Sequence, residues 1–264
     1  MRVMHPYLNT AIKAARSAGN IIARSADRLD RIEIASKGAP NDFVTSVDRA
    51  AEAEIIHIIK KAYPDHGFLG EETGAADGTN INDVVWIIDP LDGTLNFIHG
   101  LPYFCVSIAV QMRGVVEHGV VYNPISGELF TATRGSGAQL DGKRIRVSDC
   151  KSIETALVCT GFAYKRTDES IDVCMGRVKK ALENCSDLRR NGAAALDLAF
   201  VAAGRLDGFW ETGLGPWDVA AGALLVREAG GFVSDLAGTD KFIENGRIVA
   251  ATTKVYPKLM ELLK

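Results

Sequence analysis

Hydrophobic spacing changes period twice along this chain, and each change restricts which layers it can fold into. Leu8, Ala11, Ile12, Ala15 and Ile22 form one stripe at helical intervals, and Val47, Ala51, Ile55, Ile58 and Ala62 form a second. Both predict amphipathic helices. Thr45, followed three residues later by Asp48, is a capping-box pattern that opens the second helix. The middle third reads differently. VVWIID, FCVSIAVQM, VEHGVVYNP, ELFTATRG and AQLDGKRIRV are short β-rich runs broken by Gly, Pro and Asn, with a hairpin signal at Asp141-Gly142. They predict a largely antiparallel sheet. From about residue 150, strands and helices alternate. ALVCTGF, LDGFWE and IVAATT read as strands, while AAALDLAFVAAG and PWDVAAGALLVREAGG read as helices. Ile171, Cys174, Met175, Val178 and Leu182 mark a further amphipathic helix. The shift near VSDCKS, residues 148–153, predicts an α+β domain over 1–150 and an α/β domain over 151–264.

A chain of 264 residues can bury a core of this kind without disulfides or structural metal. Its 47% hydrophobic and 24% charged residues exclude a disordered chain, a fibrous repeat and a membrane bundle. No window offers the about 18 consecutive apolar residues of a spanning helix, and Lys13 and Arg16 interrupt any signal-peptide core. A net charge of −3 and a pI near 6.0 argue against a dedicated nucleic-acid binder. The five cysteines form no CxxC pair and read as reduced thiols, which predicts a cytoplasmic location. The histidines are isolated from one another, and none is assigned a role. The 26 glycines, about a tenth of the chain, imply many tight turns.

Three acidic segments can carry chemistry. In WIIDPLDGTLNF an apolar run ends at Asp89, and Pro90 and Gly93 then force a turn that bears Asp92. Two carboxylates so spaced at a strand end can converge on one or two cations, with the Leu91 carbonyl as a further oxygen donor. The Gly93 and Thr94 amides follow where a short helix can begin, a good place for phosphate. Pro-Leu-Asp-Gly is also simply a good turn sequence. Gly70-Glu71-Glu72 reads as a solvated loop or as a second acidic arm. Pro216-Trp217-Asp218 puts an acid in the first turn of a helix, where the helix dipole alone accommodates it. Yet Val219 to Val226 contains no charged residue, which predicts a helix buried nearly all round. A carboxylate at its mouth then requires a cation or several hydrogen bonds. All these donors are oxygens, with no Cys or His nearby, which favours Mg²⁺ over zinc. Gly135-Ser136-Gly137 lacks the third glycine of a dinucleotide fingerprint, and neither a P-loop nor a GxSxG elbow occurs.

Taken together and in order, GEET, DPLDGTLNF and PWDVAAG resemble the inositol monophosphatase family of Mg²⁺-dependent, Li⁺-sensitive phosphatases. The likeness runs from KGAPNDFVTSVD to REAGG and IVAATT, and RRNGAAALDLAFVAAGRLDGFWE is closest to the bacterial SuhB type. The resemblance implies a layered αβαβα sandwich, usually a homodimer. It implies that Glu71, Asp89, Asp92, Asp218 and the Leu91 carbonyl ligate two Mg²⁺ per subunit. A hairpin bearing Lys37 and Asp42 would close over a third, weaker ion. Thr94 and Asp48 match the pair that orients the attacking water, and Glu72 an acid behind the ligands. Leu91, Asp92, Gly93 and Thr94 would face the phosphate. Glu211, Asp218 and Ala193-Ala194 would face the sugar or inositol, and Arg189 would approach it across a dimer contact. The implied activity is hydrolysis of myo-inositol 1-phosphate by metal-activated water. Fructose 1,6-bisphosphate, NADP, 3′-phosphoadenosine nucleotides and histidinol phosphate are the alternative substrates. Some bacterial members also resemble accessory factors of transcription and ribosomal RNA maturation. One departure stands out: Ala193 occupies a place where the family commonly has a Ser or Thr hydroxyl. Its loss removes a hydrogen bond worth about 0.5–1.5 kcal/mol.

Overall fold

The computed structural model describes residues 4–29, 32–36, 43–76, 84–162 and 169–264. Lys37 and Asp42 lie outside the described residues. Helices α1 (Pro6–Ala26) and α2 (Ser46–Ala62) form the first layer, with a small antiparallel pair, β1 (Ile34–Ser36) and β2 (Phe43–Thr45), between them in sequence. Their stripes bury Leu8, Ala11, Ala15, Ile22, Val47, Ala51 and Ile55, as the spacing predicts, against Trp86, Ile88, Ile108 and Val120 of a sheet.

That sheet contains β3 (Gly67–Gly70), β4 (Gly74–Ala76), β5 (Val84–Asp92), β6 (Cys105–Met112), β7 (Val115–Tyr122), β8 (Leu129–Thr133), β9 (Gly137–Leu140) and β10 (Lys143–Arg144). A short helix, α3 (Thr94–Ile98), follows β5. The strand order is β10-β9-β8-β7-β6-β5-β3-β4, and only β3 and β5 pair in parallel. Asp141 and Gly142, at φ 50° and 76°, make the expected hairpin between β9 and β10.

The second sheet has the order β12-β11-β13-β15-β14. It is built from β11 (Leu157–Thr160), β12 (Asp187–Arg189), β13 (Gly208–Thr212), β14 (Phe232–Ser234) and β15 (Arg247–Ala251). Helices α5 (Ala194–Ala202) and α6 (Pro216–Glu228) lie between the two sheets. Such a layer has no solvent face, so a helix there can be apolar all round. Val219 to Val226 are accordingly all buried. At Gly222 a Cβ would come within 2.6 Å of Leu198, so the absent side chain permits the close approach of α5 and α6.

Helices α4 (Ile171–Asn184) and α8 (Tyr256–Leu262) cover the outer face of the second sheet, and α7 (Phe242–Asn245) is a single turn. The layers therefore run αβαβα, as expected. Helix α6 packs on β5, β6 and β7 as well as on β14 and β15, so it touches strands from both halves of the chain. The apolar stripe of α4 is less buried than its spacing suggests. Ile171, Met175 and Leu182 are exposed, and Ala181 is the residue it buries. Among the described residues, no helix is long and apolar enough to cross a membrane.

Candidate active site

The site begins where β5 stops pairing regularly. Asp89 faces Ser107 and Asp92 faces Cys105, so three steps on β5 match two on β6. This bulge accommodates Pro90, which has no N–H to offer a ladder. The strand thus runs on to Asp92, past the turn that Pro90 suggested, and the chain reverses at Gly93 instead. Gly93 has φ 92°, a left-handed conformation, and a Cβ there would lie 3.0 Å from the Tyr103 carbonyl and 3.1 Å from Ala193 Cβ. Within the bulge, the Leu91 N–H donates to Asp89 Oδ1 at 3.0 Å.

Asp218 arrives from the far half of the chain. It is the third residue of α6, and its Oδ2 accepts the Gly215 N–H at 2.6 Å, closing the first turn. Ser107 Oγ donates to the neighbouring Trp217 carbonyl at 3.1 Å and ties the helix mouth to β6. Asp89, Asp92 and Asp218 are all buried, and one oxygen from each lies within 4.8 Å of the others. Glu71, which follows β3, is half-buried. Burial pushes Asp89 well above the usual carboxylate range, and the charges of Glu71, Asp92 and Asp218 push it further. Asp92 shifts the same way through burial and Asp218, opposed by the Ala195 N–H. Asp89 Oδ2 is fully buried and accepts no hydrogen bond. An orphaned oxygen among crowded like charges, with oxygen donors throughout, fits a hard divalent cation such as Mg²⁺.

Asp48 stands at the third position of α2 and is fully buried. Its Oδ2 accepts the Thr45 N–H at 2.9 Å and the Thr45 hydroxyl, which completes the capping box. Its Oδ1 accepts the Thr94 hydroxyl at 2.9 Å. The same hydroxyl lies 3.0 Å from the Leu91 carbonyl. Burial raises the Asp48 carboxyl above its ordinary value, against the hydrogen bonds from Thr45 and Thr94. Thr94 and Asp48 are therefore in contact across 46 residues of sequence, beside the acid cluster.

A sequence model of the inositol monophosphatase family matches residues 3–264. The chain belongs to that family. It is 51% identical over 263 residues to Nus factor SuhB of Pseudomonas aeruginosa, covering 99% of this chain and 97% of that one. The extragenic suppressor protein SuhB of Bartonella henselae superposes with a TM-score of 0.94 at 42% identity, over 98% of this chain and 99% of that one. The inositol monophosphatase of Anabaena (Nostoc) superposes at 0.84 and 38% identity, over 97% and 94%.

Around the acidic cluster of this inositol monophosphatase family member, the second half of the chain supplies a wall. Ala193 is the N-cap of α5 and offers no side-chain cap. Asp92 Oδ2 does that work from another layer, accepting the Ala195 N–H at 2.7 Å. Glu211 on β13 packs so tightly on Gly161 that a Cβ there would overlap its carboxylate. Arg189 is exposed on the edge strand β12, with its guanidinium paired to Asp187. Glu72 is half-buried beside Glu71. Several groups that organise the site were not picked out from the sequence. Asn96 Nδ2 donates to the carbonyls of Tyr103 and Asn191, and Asp197 accepts from Tyr103 and Asn191. The one signal for Asp197 was a lone acid inside AALDLAFVA.

Proposed function

We propose that this inositol monophosphatase family member is a Mg²⁺-dependent phosphatase of inositol monophosphate, with Glu71, Asp89, Asp92, Asp218 and the Leu91 carbonyl as ligands. The observation that carries the reading is the buried Asp89–Asp92–Asp218 cluster beside the Thr94–Asp48 hydrogen bond. Mg²⁺ bound there supplies Lewis-acid charge for the phosphoryl oxygens and a lowered pKa for water. The protein does the rest. The Thr94 hydroxyl, donating to Asp48, keeps its lone pairs turned to a water and passes a proton inward. Asp48 receives it, and its raised carboxyl is the better base for that step. The Gly93 and Thr94 amides hold the phosphate, and Glu72 supports the ligands from behind. Glu211, Ala193 and Arg189 face the alcohol being released. The reading includes two Mg²⁺ per subunit, Li⁺ sensitivity, a cytoplasmic homodimer, and domains at 1–150 and 151–264.

Phosphate release from myo-inositol 1-phosphate tests it, run beside the alternative esters. Activity is expected with Mg²⁺, with loss in EDTA and inhibition by Li⁺. Asp89→Asn should lower kcat/KM by at least about 100-fold, since even residues that only support ligands cost 10–100-fold. An Asp89→Asn protein as active as the parent would sink the ligand assignment. Relatives bearing the name Nus factor SuhB support a second reading, a transcription-related partner bound by the surface. In that case Asp89→Asn would still rescue a deletion strain.

A further inference from the structure

Glu52 stands four residues after Asp48 on α2, hence on the same face of the helix one turn further along. It is 1% exposed. Its Oε2 accepts the N–H of Glu72 at 3.0 Å, and its Oε1 accepts the N–H of Thr73 at 2.9 Å. On the other side it lies against Gly70, where a Cβ would come within 2.6 Å of the carboxylate. Both ends of the buried acid are thus committed to the backbone of one turn, the turn that joins β3 to β4 and begins with Glu71. The Glu71 N–H, for its part, bonds the Ile88 carbonyl at 3.1 Å, one residue before Asp89. A buried carboxylate is unfavourable on its own, and the two amide N–H groups compensate for it.

We infer that Glu52 is a positioning residue for the metal site. It pins the 71–73 turn so that Glu71 is held toward Asp89, and it touches neither ion nor substrate. Because Asp48 and Glu52 share one rigid helix, α2 sets the spacing between the Glu71 turn and Thr94. This rests on the reading of Glu71 as a metal ligand.

Glu52→Gln tests it in the full-length protein, because one acceptor oxygen becomes an NH₂ facing a backbone N–H. Calorimetric titration with Mg²⁺ should show affinity weakened about 10–100-fold, as for other groups that orient ligands. The kcat at saturating Mg²⁺ should return close to the parental value. Amide exchange at Glu72 and Thr73 should accelerate in the metal-free protein. Gly70→Ala, which crowds the same carboxylate while keeping its charge, should weaken Mg²⁺ binding in the same direction and serves if Glu52→Gln does not fold. Faster exchange at residues 72 and 73 with parental Mg²⁺ affinity would overturn the inference and leave the ligand reading intact. Parental Mg²⁺ affinity in Glu71→Gln would overturn both.

Discussion

Asp197 holds one carboxylate oxygen in good company and the other in none. Its Oδ1 accepts the Tyr103 hydroxyl at 2.6 Å and Asn191 Nδ2 at 2.7 Å, whereas Oδ2 is buried without a partner. Burial pushes its pKa from 3.8 up to about 6. Between those values the folded state keeps a proton that the unfolded chain has released, so Asp197's contribution to stability falls as pH rises through the window. Above pH 6 it stays lost. Asn at this position keeps an acceptor for Tyr103 and Asn191 and has no charge to desolvate. Urea melts of Asp197→Asn should therefore gain on the parent by about 3 kcal/mol between pH 4 and pH 7. A difference that does not vary with pH would dismiss the burial argument. Asp197 also shows what single residues reveal in sequence. Asp89 and Asp92 were legible because Pro and Gly flank them, and Asp218 because a charge-free helix follows it. Glu52 and Asp197 sit inside helical runs whose local pattern is satisfied without them, and, Asn191 apart, their carboxylates find hydrogen-bond partners 20 or more residues away, in Glu72, Thr73 and Tyr103.

Local patterns carry further at the level of elements. The Thr45–Asp48 box and the Asp141-Gly142 hairpin are complete within four residues, and the folded chain realises both. Thr45→Ala removes the side chain that caps α2 and a hydroxyl that holds Asp48. It should cost about 0.5–2 kcal/mol in a urea melt. It should also lower kcat several-fold by loosening Asp48 beneath Thr94, whereas unchanged kcat at reduced stability would separate the cap from catalysis. Where an element depends on its neighbour, sequence reasoning stops short. Pro90 reads as a turn because the bulge that admits it is defined by the pairing of β5 with β6. The three- and four-residue strands β3, β4, β12 and β14 are too short for periodicity to register. The stripe on α4 is real, but an outermost helix is not obliged to bury all of it.

Seen whole, the molecule keeps its carboxylates in the seam between layers: Asp48 from the first helical layer, Asp89 and Asp92 from the first sheet, Asp218 from the inner helices. A cation that binds only this assembled cluster stabilises the entire fold. At Mg²⁺ 100-fold above its Kd the gain is about 2.7 kcal/mol, or roughly 5–10 °C in a thermal scan against EDTA for a chain of this size. Asp89→Asn should abolish most of that shift, and an equal shift in parent and variant would place the ion elsewhere. A helical start, an antiparallel sheet and a second half of alternating strands and helices were legible from hydrophobic spacing, and the family resemblance implied their αβαβα stacking. Strand order was not legible, since β5 finds β3 and β6 through the packing of both faces. The contact of Asp92 with the first turn of α5 has a consequence for how the protein comes into being. A ribosome makes Asp48 through Asp92 long before Ala195 and Asp218 emerge, so the nascent chain has acids without their helix amide and without the last carboxylate. Competence is then gained at one late moment of synthesis, and a fragment truncated before residue 218 leaves translation with an incomplete cluster.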